Sequence, residues 1–218
     1  MARDRALAID KLVEGWAGDV TTDSSVAMYA YRRANVAELN RRGREVWRSL
    51  GRLGQAELVA PGGARYAEGD RVTLAPGAGG QVVTSQTGTV VGVKVDTNSL
   101  LLRMDDDNEI VRLEGSEIAA ERLAHAYAVT VHRSQGATVD RAHALEDGGG
   151  RGLAYVKMSR AKEHTTVYVV ADSLEQATED LSSGVGNRPP PRLGHRHRHA
   201  DDGARGDRGE PGRQPADA

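Results

Sequence analysis

Cysteine is absent from all 218 residues, which removes disulfides, thiolate metal sites and cysteine nucleophiles from consideration. A P-loop is absent as well, because nowhere does Gly-x-x-x-x-Gly-Lys precede Ser or Thr. No apolar stretch approaches the length of a membrane span. The opening Met1-Ala2-Arg3-Asp4-Arg5 puts charges where a secretory signal needs an apolar core. The expectation is a soluble, cytoplasmic chain with no membrane partner. A surplus of charge is missing too: 29 Lys and Arg face 31 Asp and Glu, so any basic footprint for a nucleic acid must be local. With 39% hydrophobic residues, the chain can bury one moderate core and a small second one.

What is present is organised around Tyr127 to Val170, where two β-type runs each abut a short polar segment bearing cations. Ahead of it, Ile9, Leu12, Val13 and Trp16 recur at helical spacing over residues 5–17, with Gly18 as the stop. Val26 to Tyr31 is a short apolar run bounded by turn residues, which predicts a buried strand ending at Arg32 and Arg33. Asn35 is the expected cap of the helix that follows, with Val36, Leu39, Val46 and Leu50 along one stripe. The pattern changes around Pro61-Gly62-Gly63. From Tyr66 to Leu113 it becomes short alternating strands separated by Gly and Asp turns, which suits a small β-barrel. The turn Asp105 to Asn108 lacks the frame of a calcium loop and reads as a solvated hairpin turn. Residues 117–125 read as helical or irregular. Strands are then expected over 126–131, 139–145 and 165–170, a helix over 153–162, and a last helix opened by Ser173 and Gln176. Beyond Gly184 almost nothing is apolar, which predicts a disordered tail. Its run His195 to His199 reads as solvated rather than as a metal site.

Three segments carry the chemistry. Arg32 and Arg33 fall at the carboxyl end of a predicted strand, where ligands collect in open α/β sheets; an ordinary solvated helix start fits the same residues. Arg160 falls late in a short helix, and an arginine fork suits the neutralisation of a transferring phosphoryl group. By composition alone the plainer reading wins, in which Arg160 and Lys162 are exposed helix cations paired with Glu163 or water. His132-Arg133-Ser134-Gln135-Gly136 offers N–H groups, a hydroxyl and an amide to a phosphodiester backbone, with Gly136 allowing close approach. A plain strand-to-helix loop is the ordinary alternative. A serine hydrolase built on His132 and Ser134 is disfavoured, because no Gly-x-Ser-x-Gly elbow is present.

Thr130-Val131-His132-Arg133-Ser134-Gln135-Gly136-Ala137-Thr138-Val139-Asp140 closely resembles motif V of superfamily 1 helicases, in the form used by RecD-like enzymes and MobF-type conjugative relaxase–helicases. Ala154-Tyr155-Val156-Lys157-Met158-Ser159-Arg160-Ala161-Lys162 resembles their motif VI, with Lys157 in place of a small residue. Met28-Tyr29-Ala30-Tyr31-Arg32-Arg33-Ala34 with Leu39-Asn40 resembles motif IV. The resemblance covers roughly residues 6–181. It implies an α/β fold, the second RecA-like domain of such a helicase, with an inserted SH3-like β-barrel. The implied boundaries are 1–62 for the first part of the RecA-like domain, 63–118 for the barrel, 119–184 for the remainder and 185–218 for the tail.

The same resemblance implies roles. Arg160 and Arg32 match the arginines that reach the nucleotide, with Gly136 and Tyr155 beside it and Ser159 supporting Arg160. Thr130, His132, Arg133, Ser134 and Gln135 match the loop that touches single-stranded DNA. In the family, ATP and Mg²⁺ bind between two RecA-like domains, and the first supplies the P-loop. The expectation is therefore a carboxy-terminal motor domain, moving 5′ to 3′, which binds no ATP, Mg²⁺ or other metal alone and needs a P-loop-bearing helicase or relaxase half as partner. The alternative is a non-catalytic module that binds single-stranded DNA or protein, left from a truncated helicase.

Overall fold

The structure is a computed structural model that describes residues 4–22, 25–75, 86–118, 122–130, 139–148, 161–170 and 178. Helix α1 (Arg5–Asp19) starts at Asp4, whose carboxylate accepts the Leu7 N–H at 2.8 Å. It buries Ala8, Ile9, Leu12 and Trp16 and runs one residue past Gly18, the expected stop. Strand β1 (Val26–Ala30) leads into helix α2 (Arg33–Ser49). Tyr31, expected inside the strand, lies beyond it and is 41% exposed.

Strands β9 (Ala128–Thr130), β10 (Val139–Glu146) and β11 (Ala161–Val169) complete a four-stranded sheet in the order β11-β10-β1-β9. Every pairing in it is parallel, so the chain is mixed α/β with a parallel sheet. Side-chain alternation assigns its faces. Met28, Ala30 and Leu145 pack with α1 and α2 in one core, while Tyr29, Ala142 and Ala144 face the other side. Trp16 stacks on Trp47 at 5.7 Å, with Tyr127 edge-on to both, and so ties α1 to α2.

Between α2 and β9 the chain builds a second core. A hairpin of β2 (Glu57–Val59) and β3 (Arg65–Ala67) precedes strands β4 (Arg71–Leu74), β5 (Gln86–Lys94), β6 (Ser99–Met104), β7 (Ile110–Glu114) and β8 (Leu123–His125). The last five form an antiparallel sheet in the order β7-β6-β5-β4-β8 around Val72, Leu74, Val90, Leu100, Leu102 and Leu113. The expected hairpin over 100–113 is present. Its Asp105 is not simply solvated: Arg71 and Thr87 both bond its carboxylate, which lowers its pKa against the cost of burial. Of residues 117–125, expected to be helical or irregular, Glu117 ends a short 3-10 helix (Gly115–Glu117), whereas Leu123–His125 form β8, because pairing with β4 satisfies their backbone groups. The 153–160 part of the expected helix, the helix opened by Ser173 and the tail lie outside the described residues. Ala161 and Lys162, expected in that helix, begin β11.

Two buried polar networks hold these parts. At the junction with the second core, fully buried Asp70 accepts Arg44 Nε and Nη2 at 2.9 Å, the Ala67 N–H at 2.7 Å and the Tyr127 hydroxyl at 2.6 Å. The turn that delivers Asp70 needs Gly69. Its φ is +89°, and a Cβ there would sit 2.0 Å from the Arg52 carbonyl oxygen. Under α1, buried His143 lies between Tyr168 Oη at 2.9 Å and Asp19 Oδ2 at 3.0 Å, and Arg141 bonds both Asp19 and Glu163. Burial lowers the pKa of His143, and it lowers that of His125 beside Asp70.

Removing one partner of a buried ion pair leaves the other charge unpaired, at a cost of about 3–5 kcal/mol. Asp70→Ala is therefore expected to lower the urea unfolding free energy by that amount, and Arg71→Ala, at a more exposed pair, by about 1 kcal/mol or less. The histidines predict a pH dependence. Unfolded histidines gain protons as pH falls through about 6.5, while the folded chain resists protonation until its depressed values are reached. The unfolded state then binds more protons, so stability drops from about pH 7.5 to 5.5. Denaturation midpoints across that window should show the drop, and the double replacement His125→Gln with His143→Gln should flatten it.

Candidate functional site

Strand direction decides which groups can share a site. β1 and β9 are paired to their last residues, Ala30 opposite Thr130, and β10 ends alongside them at Glu146. The connection after β1 leads to β9 on one side, and the connection after β10 leads to β11 on the other. Adjacent strands whose connections depart in opposite directions leave a crevice outside their carboxyl ends, where open α/β sheets bind ligands. Here that crevice lies between β1 and β10.

Arg32 and Asp147 meet in it. The Asp147 carboxylate accepts the Tyr31 N–H at 2.8 Å through Oδ1. Through Oδ2 it accepts the Arg32 N–H at 2.9 Å and the Asn35 amide at 2.8 Å. The Asp147 carbonyl oxygen in turn accepts Arg32 Nε at 2.9 Å. Asn35 is therefore not the cap of α2 that the sequence suggested. The cap position is Arg32, which makes no side-chain capping bond. The capping carboxylate arrives from β10, 115 residues along the chain, because the terminal N–H groups and the helix dipole both attract an anion.

Of the other residues singled out from sequence, Thr130 ends β9 at the same edge. His132, Arg133, Ser134, Gln135 and Gly136 lie outside the described residues, as do Tyr155, Lys157, Ser159 and Arg160. The residue after Arg160 is described: Ala161 pairs with Val139 at the amino-terminal edge of the sheet. That edge is the length of β10, roughly 25 Å, from the one bearing Arg32. Lys162 sits in β11 near Asp140 at 3.5 Å, and Glu163, considered as its partner, pairs with Arg141. Among the described residues no cluster of three or more metal-ligating side chains occurs, and no helix is long and apolar enough to cross a membrane.

Asp147 escaped the reading of the sequence. The signal was there: Glu146-Asp147 directly follows the apolar end of a predicted strand, the same placement that drew attention to Arg32. A separate groove of about 490 Å³ lies between α2 and β3 and β8, and its lining includes Arg41, Arg44, Arg48 and Arg65. Those four arginines are matched by Glu38, Glu45, Glu57 and Asp70, so the groove has no surplus charge to offer a polyanion.

Comparison with known proteins adds ancestry. No protein-family model matches the chain. Conjugal transfer protein TraA of Agrobacterium fabrum is 31% identical over 179 residues, and that of Rhizobium radiobacter is 29% identical over 170. Each alignment covers 76% of this chain and 15% of the relative, so the chain spans only a small part of these proteins' length. The multifunctional conjugation protein TraI of Escherichia coli is 34% identical over 137 residues, which are 59% of this chain and 8% of TraI. Among solved structures, a Bacteroides Pif1 helicase in complex with ADP-AlF3 and ssDNA is 15% identical. It covers 85% of this chain and 56% of its own, at a TM-score of 0.49, too loose a likeness to carry weight. The chain is thus homologous to one segment of the TraA and TraI conjugation proteins, and its parallel sheet is consistent with a carboxy-terminal superfamily 1 helicase domain of the conjugative relaxase–helicase type.

Proposed function

We propose that this chain is the carboxy-terminal motor domain of an ATP-dependent superfamily 1 DNA helicase. The observation that carries the reading is the position of Arg32 in the crevice between β1 and β10, next to the strand end that opens the motif V loop. In this reading Arg32 and Arg160 neutralise the nucleotide phosphates, with Gly136 and Tyr155 beside them. Thr130, His132, Arg133, Ser134 and Gln135 hold the single-stranded DNA backbone. Residues 1–62 and 119–184 form the RecA-like domain, 63–118 the small SH3-like barrel and 185–218 a disordered tail. Movement is 5′ to 3′, and the place of work is the cytoplasm.

The nucleotide site is completed by a P-loop-bearing half, which brings the phosphate cradle and the Mg²⁺ seat. The chain's own residues then do two things: they place positive charge against phosphate oxygens, and they grip the DNA whose binding opens or closes the cleft. Arg32 follows the carboxyl end of β1, whereas Ala161 lies at the amino-terminal end of the sheet.

That separation also favours a second reading, in which the chain is a non-catalytic module that binds single-stranded DNA. Both readings predict DNA binding that weakens steeply with salt; they part on ATP turnover.

Mixing this chain with the P-loop half of a TraA-type relative is expected to produce DNA-stimulated ATP turnover that neither part shows alone. Arg160→Ala should reduce that turnover roughly 10³-fold or more. Arg32→Ala should also reduce it, and lysine should substitute poorly at either position. Restored turnover that survives both alanine variants would remove the two arginines from the mechanism. Salt-sensitive DNA binding with no turnover in any mixture would leave the module reading.

A further inference from the structure

We infer that Asp147 is the positioning residue for Arg32: its main-chain carbonyl sets the direction of the guanidinium. The inference rests on Arg32 facing the nucleotide, as proposed above, and extends it to a residue outside the three motifs.

The carboxylate of Asp147 accepts the Tyr31 and Arg32 backbone N–H groups and the Asn35 amide. Those three bonds fix residue 147 against the first turn of α2. Its main-chain carbonyl is thereby held where Arg32 Nε can reach it. Arg32 is thereby oriented through Nε, one of its five N–H donors, and that bond leaves its terminal Nη groups for an anion. A direct bidentate pair with the carboxylate would have fixed the side chain equally well but occupied two of the donors that an anion needs. Among the described residues neither Arg32 nor Arg33 forms a salt bridge, whereas Arg41, Arg42, Arg44 and Arg48 of α2 all do.

The arrangement also links two strands. Asp147 follows β10 and Arg32 follows β1, so a displacement of β10 along β1 moves the carbonyl that Arg32 holds. Asn35 is the second member of the clamp, and its loss should weaken the same contact.

A merely structural cap would stabilise α2 and leave the arginine's mobility unchanged, and that difference is measurable in the chain alone. In ¹⁵N-edited NMR spectra the Arg32 Nε–H of the unmodified protein is expected to exchange slowly with water. Asp147→Ala should raise that exchange at least tenfold, with Asp147→Asn and Asn35→Ala in between. Because Asp147→Ala removes a helix cap and can unfold the chain, the two milder variants supply the same reading in a folded protein. Unchanged Arg32 exchange in folded variants overturns the proposal.

The mixture with a P-loop half gives the second reading. There Asp147→Ala should lower kcat roughly 10²-fold, as expected for a misplaced charge, leave KM for DNA unchanged, and add nothing in an Arg32→Ala background. An additive effect in that background overturns the positioning role. If Arg32→Ala itself leaves turnover intact, the nucleotide role of Arg32 fails, and the exchange measurement still decides what Asp147 does.

Discussion

Asp70 holds a carboxylate with no contact with water, and a buried carboxylate is tolerable only when its lone pairs are met by well-placed donors. Arg44 comes from α2, Ala67 from β3 and Tyr127 from the approach to β9. Each donor belongs to a different part of the chain, so satisfying this one group fixes three parts against one another. The glycine turn before it, the Trp47 bond to the Gly69 carbonyl and the Arg52 guanidinium over Trp47 all follow from the same close approach. The β-rich insertion is thus riveted to the helix that follows β1.

That places α2 under two constraints. Near its carboxyl end Arg44 and Trp47 join the insertion, and at its amino end Asp147 receives the first N–H groups. Seventeen residues of helix span about 25 Å, with the crevice at one end and the second core at the other. An aspartate from a distant part of the chain anchors each end. A rigid rod held in this way ties the insertion to Arg32.

What the sequence disclosed and what it withheld divide along the range of the interactions. β1, β4, β6 and β10 were legible because each is a local apolar pattern bounded by turn residues, and the hairpin around Asp105 because its turn chemistry is local too. The α1 stripe was legible for the same reason, and the boundary error at Gly18 shows only that one glycine near a helix end is a weak stop. β8 was misread because three residues of strand have no period of their own; their partner β4 supplies the order. Asn35 was read as a cap because its type suits that role, yet α2 already begins at Arg33, and the Asn35 amide bonds Asp147, which follows the neighbouring strand β10. Asp70 and His143 went unnoticed because nothing local distinguishes a buried acid or histidine from a solvated one. The crevice is half legible: Arg32 could be found from its place after a strand, and its partner could not.

Charge explains why Arg32 stands out in a chain where 29 basic residues almost balance 31 acidic ones. Arginine is common along α2, so its presence at the start of the helix means little. Arg41, Arg42, Arg44 and Arg48 are each drawn onto a carboxylate within the fold, and a cation so matched adds little attraction for a distant anion. Arg32 is bonded through Nε to the Asp147 carbonyl and, among the described residues, joins no carboxylate, at the place where the sheet topology puts the ligand crevice. Composition and net charge conceal such a site. Only the partner list of each cation reveals it.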